Sequence, residues 1–260
     1  MFAINHRTKL GLIRIKDIYY ASALQPPSPV IDVIYYYHCE IPGPGSKPFH
    51  TLLIDVSQEP EALLASFRKS TRNAIRRAME NPCISLEVKA LSSLQQSGGE
   101  KLEAFVSAYD QFASQKGIQP CNQELLHLLA DEERLALATA RLADEILCQF
   151  LLVETDRKIV AYYGYNTRFS VEEDIEKVSL IGKMNRALDY QCMLYTRDKG
   201  KAHYDFCGLT LDPENPEAGN VDHYKLGFGG EIATEYHFMQ PVTLKGRLFC
   251  RLKALQGGIG

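Results

Sequence analysis

No stretch of the 260-residue sequence approaches the roughly 20 consecutive apolar residues that a membrane-spanning helix needs. Its start, MFAINHRTKLGLIRIK, lacks the continuous apolar segment of a secretory signal. Metal-ligand spacing is missing too. The seven cysteines (Cys39, Cys83, Cys121, Cys148, Cys192, Cys207 and Cys250) form no CxxC pair, and the seven histidines form no HxxxH or HxH pair. There is no G-x-S-x-G elbow, no P-loop, no G-x-G-x-x-G fingerprint and no local signature of a nucleophilic cysteine. Hydrolytic triads and the common nucleotide-binding loops therefore have no support. An excess of positive charge is absent as well. With 29 Lys+Arg against 32 Asp+Glu and a pI near 6.2, no global field draws the chain to nucleic acid. Internal repeats and low-complexity tracts are not found. The scattered cysteines read as reduced thiols, several of them in the core, and the expected location is the cytoplasm, with no metal and no integral membrane contact.

What is present alternates in character along the chain. Residues 1–60 are β-rich: LGLIRI, VIDVIYYYH and HTLLIDV are separated by the Pro/Gly stretches QPPSP and IPGPGSKP, which predicts three strands. Leu64, Phe67, Thr71, Ala74, Ile75 and Ala78 then recur at helical steps until Asn81-Pro82 ends the pattern. After the strand ISLEV, a second helix carries Leu102, Phe105, Ala108, Tyr109 and Phe112 and closes at Gly117. RLALATARL, EILCQFLLVE and KIVAYYGYNT predict a three-stranded antiparallel meander. KVSLIG reads as a further strand, followed by a helix over about 183–199, the strand AHYDFCG, the polar loop LTLDPENPEAG, the segment HYKLGFGGE and a last strand ATEYHFM. The expected class is α+β, with a β-rich portion over 1–60 and a second domain over 61–260.

Three stretches carry candidate chemistry. Within FRKSTRNAIRRA, Arg68, Arg72 and Arg76 are four apart and share one helix face, flanked by Lys69 and Arg77, with no acid between Glu61 and Glu80. Such a stripe suits a phosphate or carboxylate, with Arg72 and Arg76 as its anion holders, or an internal acidic partner. HYKLGFGGE sets Tyr224 and Lys225 before three glycines, Gly229 among them, where backbone amides and an ammonium can meet an anion, or where a bulge re-aims a strand. HYDFCG places Asp205 between Tyr204 and Phe206, either as a buried acid fit for proton transfer or as a turn cap. The tyrosines of YYY (35–37) and AYYGY (161–165) read as cross-strand aromatic pairs.

The order of these stretches is more specific than any one of them. S-T-R-x-x-I-R-R-A at 70–78, YDFCG at 204–208 and YKLGFG at 224–229 resemble, over about residues 60–237, the Fem-type aminoacyltransferases of the GNAT-like acyltransferase superfamily. The resemblance implies a GNAT-like, mainly antiparallel mixed sheet flanked by helices. It implies transfer of an activated acyl or aminoacyl group to an amine of a cell-wall precursor or related small or peptide-like acceptor. Lys225 would stabilise the oxyanion; Tyr224, which stands where the family has Phe, and Asp205 would be catalytic residues of the cleft; and Tyr204 and Gly229 would bind substrate. The chain departs from the family in length, having room for one such domain, with 1–60 either a reduced second unit or part of the same sheet. It lacks the charged heptad pair of a helical arm, and only Gly182-Lys183 stand where acyl-CoA enzymes carry their donor loop. The donor stays open between aminoacyl-tRNA and an acyl thioester of CoA or carrier protein, used as co-substrate with no bound cofactor. A silent module binding an anionic ligand on the same fold is the alternative; nucleic-acid binding through the arginine helix is a third.

Overall fold

A computed structural model of the chain describes residues 1–8, 11–92, 96–171, 173–211 and 216–255. Four strands come first, β1 (Phe2–Arg7), β2 (Arg14–Tyr19), β3 (Val33–Cys39) and β4 (Lys47–Asp55), followed by helices α1 (Pro60–Ser66) and α2 (Lys69–Met79). Strand β5 (Ile84–Leu91), helices α3 (Gln96–Lys116) and α4 (Gln123–Asp131), and strands β6 (Leu135–Leu142), β7 (Glu145–Glu154) and β8 (Lys158–Asn166) come next. The remainder is α5 (Ile175–Asp198), β9 (His203–Asp205), α6 (Pro216–Leu226), β10 (Glu231–Pro241) and α7 (Leu244–Leu255). This is the expected mixed class, and among the described pairings only β2–β3 and β8–β9 are parallel. Among the described residues no helix is long and apolar enough to cross a membrane, and no group of three or more His, Cys, Asp or Glu could hold a metal ion.

The chain divides into two compact units, residues 1–51, 208–212 and 232–260 in one and residues 52–207 and 213–231 in the other. The β-rich portion is thus not a contiguous piece ending at residue 60: its strands are completed by β10 from the far end of the chain.

In the first unit the strand order is β1-β2-β3-β10. Tyr36 and Phe238 stack at 4.6 Å in its core with Ile18, Ile34 and Cys39, while Phe2, Tyr19 and Tyr37 stack in turn at 4.8 and 4.9 Å. The YYY run therefore serves as cross-strand pairing on both sides. Asp32, 1% exposed, ties the end of β10 to β2: its carboxylate accepts from the Arg14 amide and guanidinium and from Thr243 Oγ1, and its carbonyl accepts from Val242 N. The Arg14 guanidinium holds the Asp32 carboxyl far below its ordinary range.

In the second unit the order is β4-β9-β8-β7-β6-β5, with β4 contributing Leu53–Asp55 to the pairing with β9. β6 and β7 are buried on both faces, as strands covered from both sides must be. Tyr163 and Tyr165 of β8 meet Tyr109 and Phe105 of α3 on one side, and Cys148 of β7 meets Ile181 of α5 on the other.

Two helical expectations change. The pattern over 64–78 is broken because Phe67 and Arg68 are extended, so α1 and α2 are separate helices. KVSLIG is no strand: it forms the first turns of α5, whose start is capped by the Asp174 carboxylate on Lys177 N. Its Ile181, Met184, Leu188 and Cys192 recur at helical steps and are all buried.

Candidate active site

The site belongs to the second unit and is built by α5, β9 and α6. Helix α5 lays a carboxyl, Asp189, into its buried face. The Tyr204 hydroxyl, from β9, donates to Asp189 Oδ1 at 2.9 Å. The Tyr224 hydroxyl, from α6, donates to Asp189 Oδ2 through a short hydrogen bond. Asn185 Nδ2, one turn before Asp189, donates to Tyr224 Oη at 2.8 Å, and the Arg186 guanidinium lies 4.8 Å from the Tyr224 ring centroid. Burial in this apolar setting pushes the Asp189 carboxyl up to about 7, against the opposing pull of the two tyrosine hydroxyls and of Lys225 and Arg186. Burial and the adjacent Asp189 charge push both tyrosines well above their ordinary range, so each stays a protonated donor.

Lys225 follows Tyr224 on α6, and its Nζ donates to the Cys207 carbonyl at 3.0 Å. Burial lowers its pKa, while Cys207, Asp222, Asp205 and Asp189 pull it back up. Cys207 stands at φ +55 just past β9, with its amide donating to Asp205 Oδ1 at 2.8 Å.

Each residue expected from the sequence has a definite place. Tyr224 and Lys225 meet in one cluster with Tyr204, but Tyr204 is fully buried, so it holds Asp189 rather than touching a substrate. Asp205 is not the proton-transfer acid: its Oδ2 accepts from Lys158 Nζ at 2.5 Å and its Oδ1 caps the turn at Cys207, so its charge is committed. Arg72 is also committed. Its Nη1 donates to the carbonyls of Ala65 and Phe67, both at 2.8 Å, covering acceptors that the end of α1 leaves open. Arg76 is exposed on the last turn of α2, with Arg68, Lys69 and Arg77 exposed along the same helix.

Gly229 does not cradle an anion either. Tyr224 and Lys225 sit at the end of a helix, and the amides of residues 227, 228 and 229 donate to the carbonyls of Tyr224, Lys225 and Leu226. Gly229 (φ +74) carries the chain out of α6, and Gly230 (φ +84) lets it pass β4, where an added Cβ would stand 2.5 Å from the Leu53 carbonyl oxygen.

The residue that sequence reasoning missed is Asp189. Its signal was present: an acid beside Leu188 on an apolar stripe that also holds Met184 and Cys192. Reading KVSLIG as a strand cut that stripe short.

No family model matches the chain, and no curated protein matches it in sequence. Solved structures do match in shape. FemX superposes with a TM-score of 0.58 at 14% identity, over 78% of this chain and 63% of its own. The fold is Fem-like. The C-terminal (DUF2156) domain of an Agrobacterium fabrum protein named only as a candidate lysylphosphatidylglycerol synthetase shares this Fem-like fold with a TM-score of 0.53 at 11% identity, over 99% of this chain and 90% of its own. L-PGS from Bacillus licheniformis matches with a TM-score of 0.50 at 12% identity, over 85% and 72%. The Fem-like chain therefore spans less than two thirds of the FemX chain and nearly all of the Agrobacterium domain.

Asp189 gives the Fem-like core a pH signature. An unfolded Asp titrates near about 3.9, whereas the folded carboxyl titrates at about 7. Between those values the folded chain holds a proton that the unfolded chain has released, so stability falls as pH rises from about 4 to about 7 and is then level. Denaturant unfolding across this window is expected to show that slope in the parent and a flatter one in Asp189→Asn. Equal slopes would mean that Asp189 is ionised throughout.

Proposed function

We propose that the chain is an N-acyltransferase that moves an activated acyl or aminoacyl group to an amine. One observation carries this reading: a buried carboxyl poised near neutrality is bonded to the hydroxyl of a half-buried tyrosine, and the next residue along the helix is a cation. Attack of an amine on an ester or thioester carbonyl needs a proton acceptor and an oxyanion donor, and no covalent enzyme intermediate.

In the step we assign, the acceptor nitrogen forms a bond to the acyl carbon as its proton passes to the Tyr224 hydroxyl, whose own proton moves to Asp189. The developing oxyanion is met by the Lys225 ammonium. Collapse of the intermediate breaks the C–O or C–S bond, and the departing alkoxide or thiolate takes up the proton returned by Asp189 through Tyr224. Asn185 fixes the Tyr224 oxygen, and Tyr204 fixes the carboxyl. The exposed cations Lys69 and Arg76 of α2, with Arg68 just before it, are assigned to anionic groups of donor or acceptor. An aminoacyl-tRNA and an acyl thioester both satisfy this chemistry. A cell-wall precursor amine remains the acceptor class we favour from the sequence motifs, and the cytoplasm the expected location.

Purified protein offered acyl-CoA, acyl-carrier protein and aminoacyl-tRNA together with amine acceptors is expected to form an amide. Its kcat should rise with pH through about 7 as Asp189 ionises. Asp189→Asn should lose that dependence and most of the rate. Thermal stabilisation by a donor without any amide product would favour a silent binding module instead.

A further inference from the structure

Helix α7 of the first unit turns its apolar side outward. Leu244, Leu248, Leu252 and Leu255 are 80%, 61%, 53% and 85% exposed. At the 100° step of an α-helix they occupy a stripe only about 80° wide. Arg247 and Arg251 border it on one side and Lys245 on the other, all exposed, and Lys253 adds a fourth cation. No acidic residue follows Glu235 in the sequence.

The leucines are not what attaches the helix. Its inner side carries Gly246, so close to the Asp32 carbonyl that an added Cβ would stand 1.9 Å from that oxygen, and the half-buried Phe249 and Cys250. Thr243 fastens the N-terminus, donating through Oγ1 to Asp32 Oδ1 at 2.8 Å and accepting there from Gly246 N at 3.2 Å. The helix is seated by one side and offers a second, separate apolar stripe to its surroundings. Such a stripe marks an interaction surface.

We infer that α7 is an interfacial helix that docks the first unit on an anionic phospholipid surface. Leucines enter the boundary between headgroups and acyl chains, while the bordering arginines and lysine extend to lipid phosphates and leave their aliphatic stems in the apolar layer. The charge selects this occupant. A second copy would set the three bordering cations against three more with no acid on either helix, whereas a bilayer carrying anionic lipid supplies the complementary field. The inference is independent of the catalytic reading, since none of these residues belongs to the second unit.

Vesicle flotation tests it. The full chain is expected to float with phosphatidylcholine vesicles containing phosphatidylserine or phosphatidylglycerol, about tenfold or more better than with phosphatidylcholine alone, and less well at high salt. Leu248→Glu combined with Leu252→Glu should abolish flotation while leaving the unfolding midpoint unchanged, because both side chains are exposed. Arg247→Ala combined with Arg251→Ala should weaken it and reduce its salt dependence. The chain contains no tryptophan, so Leu248→Trp provides a single reporter whose emission should shift to the blue on anionic vesicles only. Failure of the parent chain to float would overturn the proposal, as would flotation unaffected by the double glutamate change. Self-association abolished by that change, without vesicle binding, would assign the stripe to a second copy.

Discussion

Replacing Lys225 with alanine is expected to slow amide formation about 10²- to 10³-fold, with the loss in kcat rather than in KM. The size follows from where the ammonium stands. Burial strips it of water and lowers its pKa, and a desolvated cation acts on a developing oxyanion more strongly than one in bulk solvent. The Cys207 carbonyl holds Nζ at 3.0 Å, so little reorganisation is needed as charge appears on the substrate. Because that field matters only once the carbonyl becomes tetrahedral, substrate affinity is largely spared. Single-turnover measurement with a saturating donor separates the chemical step from binding. A rate within a few-fold of the parent would remove Lys225 from the mechanism. Lys225→Arg makes the contrast sharper, since it keeps the charge but presents a planar fork where a compact ammonium stands.

Lys158→Met is expected to destabilise the chain by about 3–5 kcal/mol, the cost of removing one partner of a buried ion pair. The Lys158 and Asp205 side chains are 12% and 2% exposed, and their atoms meet at 2.5 Å. Without the ammonium, Asp205 loses its ion-pair partner at 2.5 Å and relies on weaker neighbours, the Cys207 amide and the more distant charge of Lys225. Combining Lys158→Met with Asp205→Asn should recover much of the loss, because asparagine can still accept from the Cys207 amide. Denaturant unfolding of the parent, the single variant and the double variant gives the coupling directly. If the double variant is no more stable than the single one, the pair does not act as a buried ion pair.

The meander was legible because β6, β7 and β8 carry long apolar runs punctuated by short polar turns, a local signal. Helix α3 was legible for the same reason, from Phe105, Tyr109 and Phe112, with Gly117 at φ +66 closing it as expected. Other elements depend on distant partners. Strand β1 pairs with β2, yet the apolar part of its sequence FAINHR is only three residues long before Asn5, His6 and Arg7. Helix α6 contains Pro216 and Gly219, which read as loop, and α7 presents its leucine period to the outside rather than to a core. The site shows the same division. Tyr224 and Lys225 stood out through their motif, whereas the partner that gives Tyr224 its chemistry lies 35 positions away and the one that neutralises Asp205 lies 47 away. No local pattern reports such pairings. Arg72 looked available for an anion because nothing in its neighbourhood is acidic; the backbone carbonyls it serves are invisible to a count of charges.

The interleaving of the two units has a consequence for synthesis. The first unit needs β10 to complete its sheet, and His38 bonds Glu235 across 197 positions of chain. A ribosome adding roughly 5–20 residues each second exposes β1, β2 and β3 well before that partner emerges. All strands of the second unit leave the ribosome before β10 does. The nascent first unit therefore waits, with Tyr36 lacking the Phe238 ring that covers it in the folded protein, and β10 closes it only when it emerges after the second unit's strands.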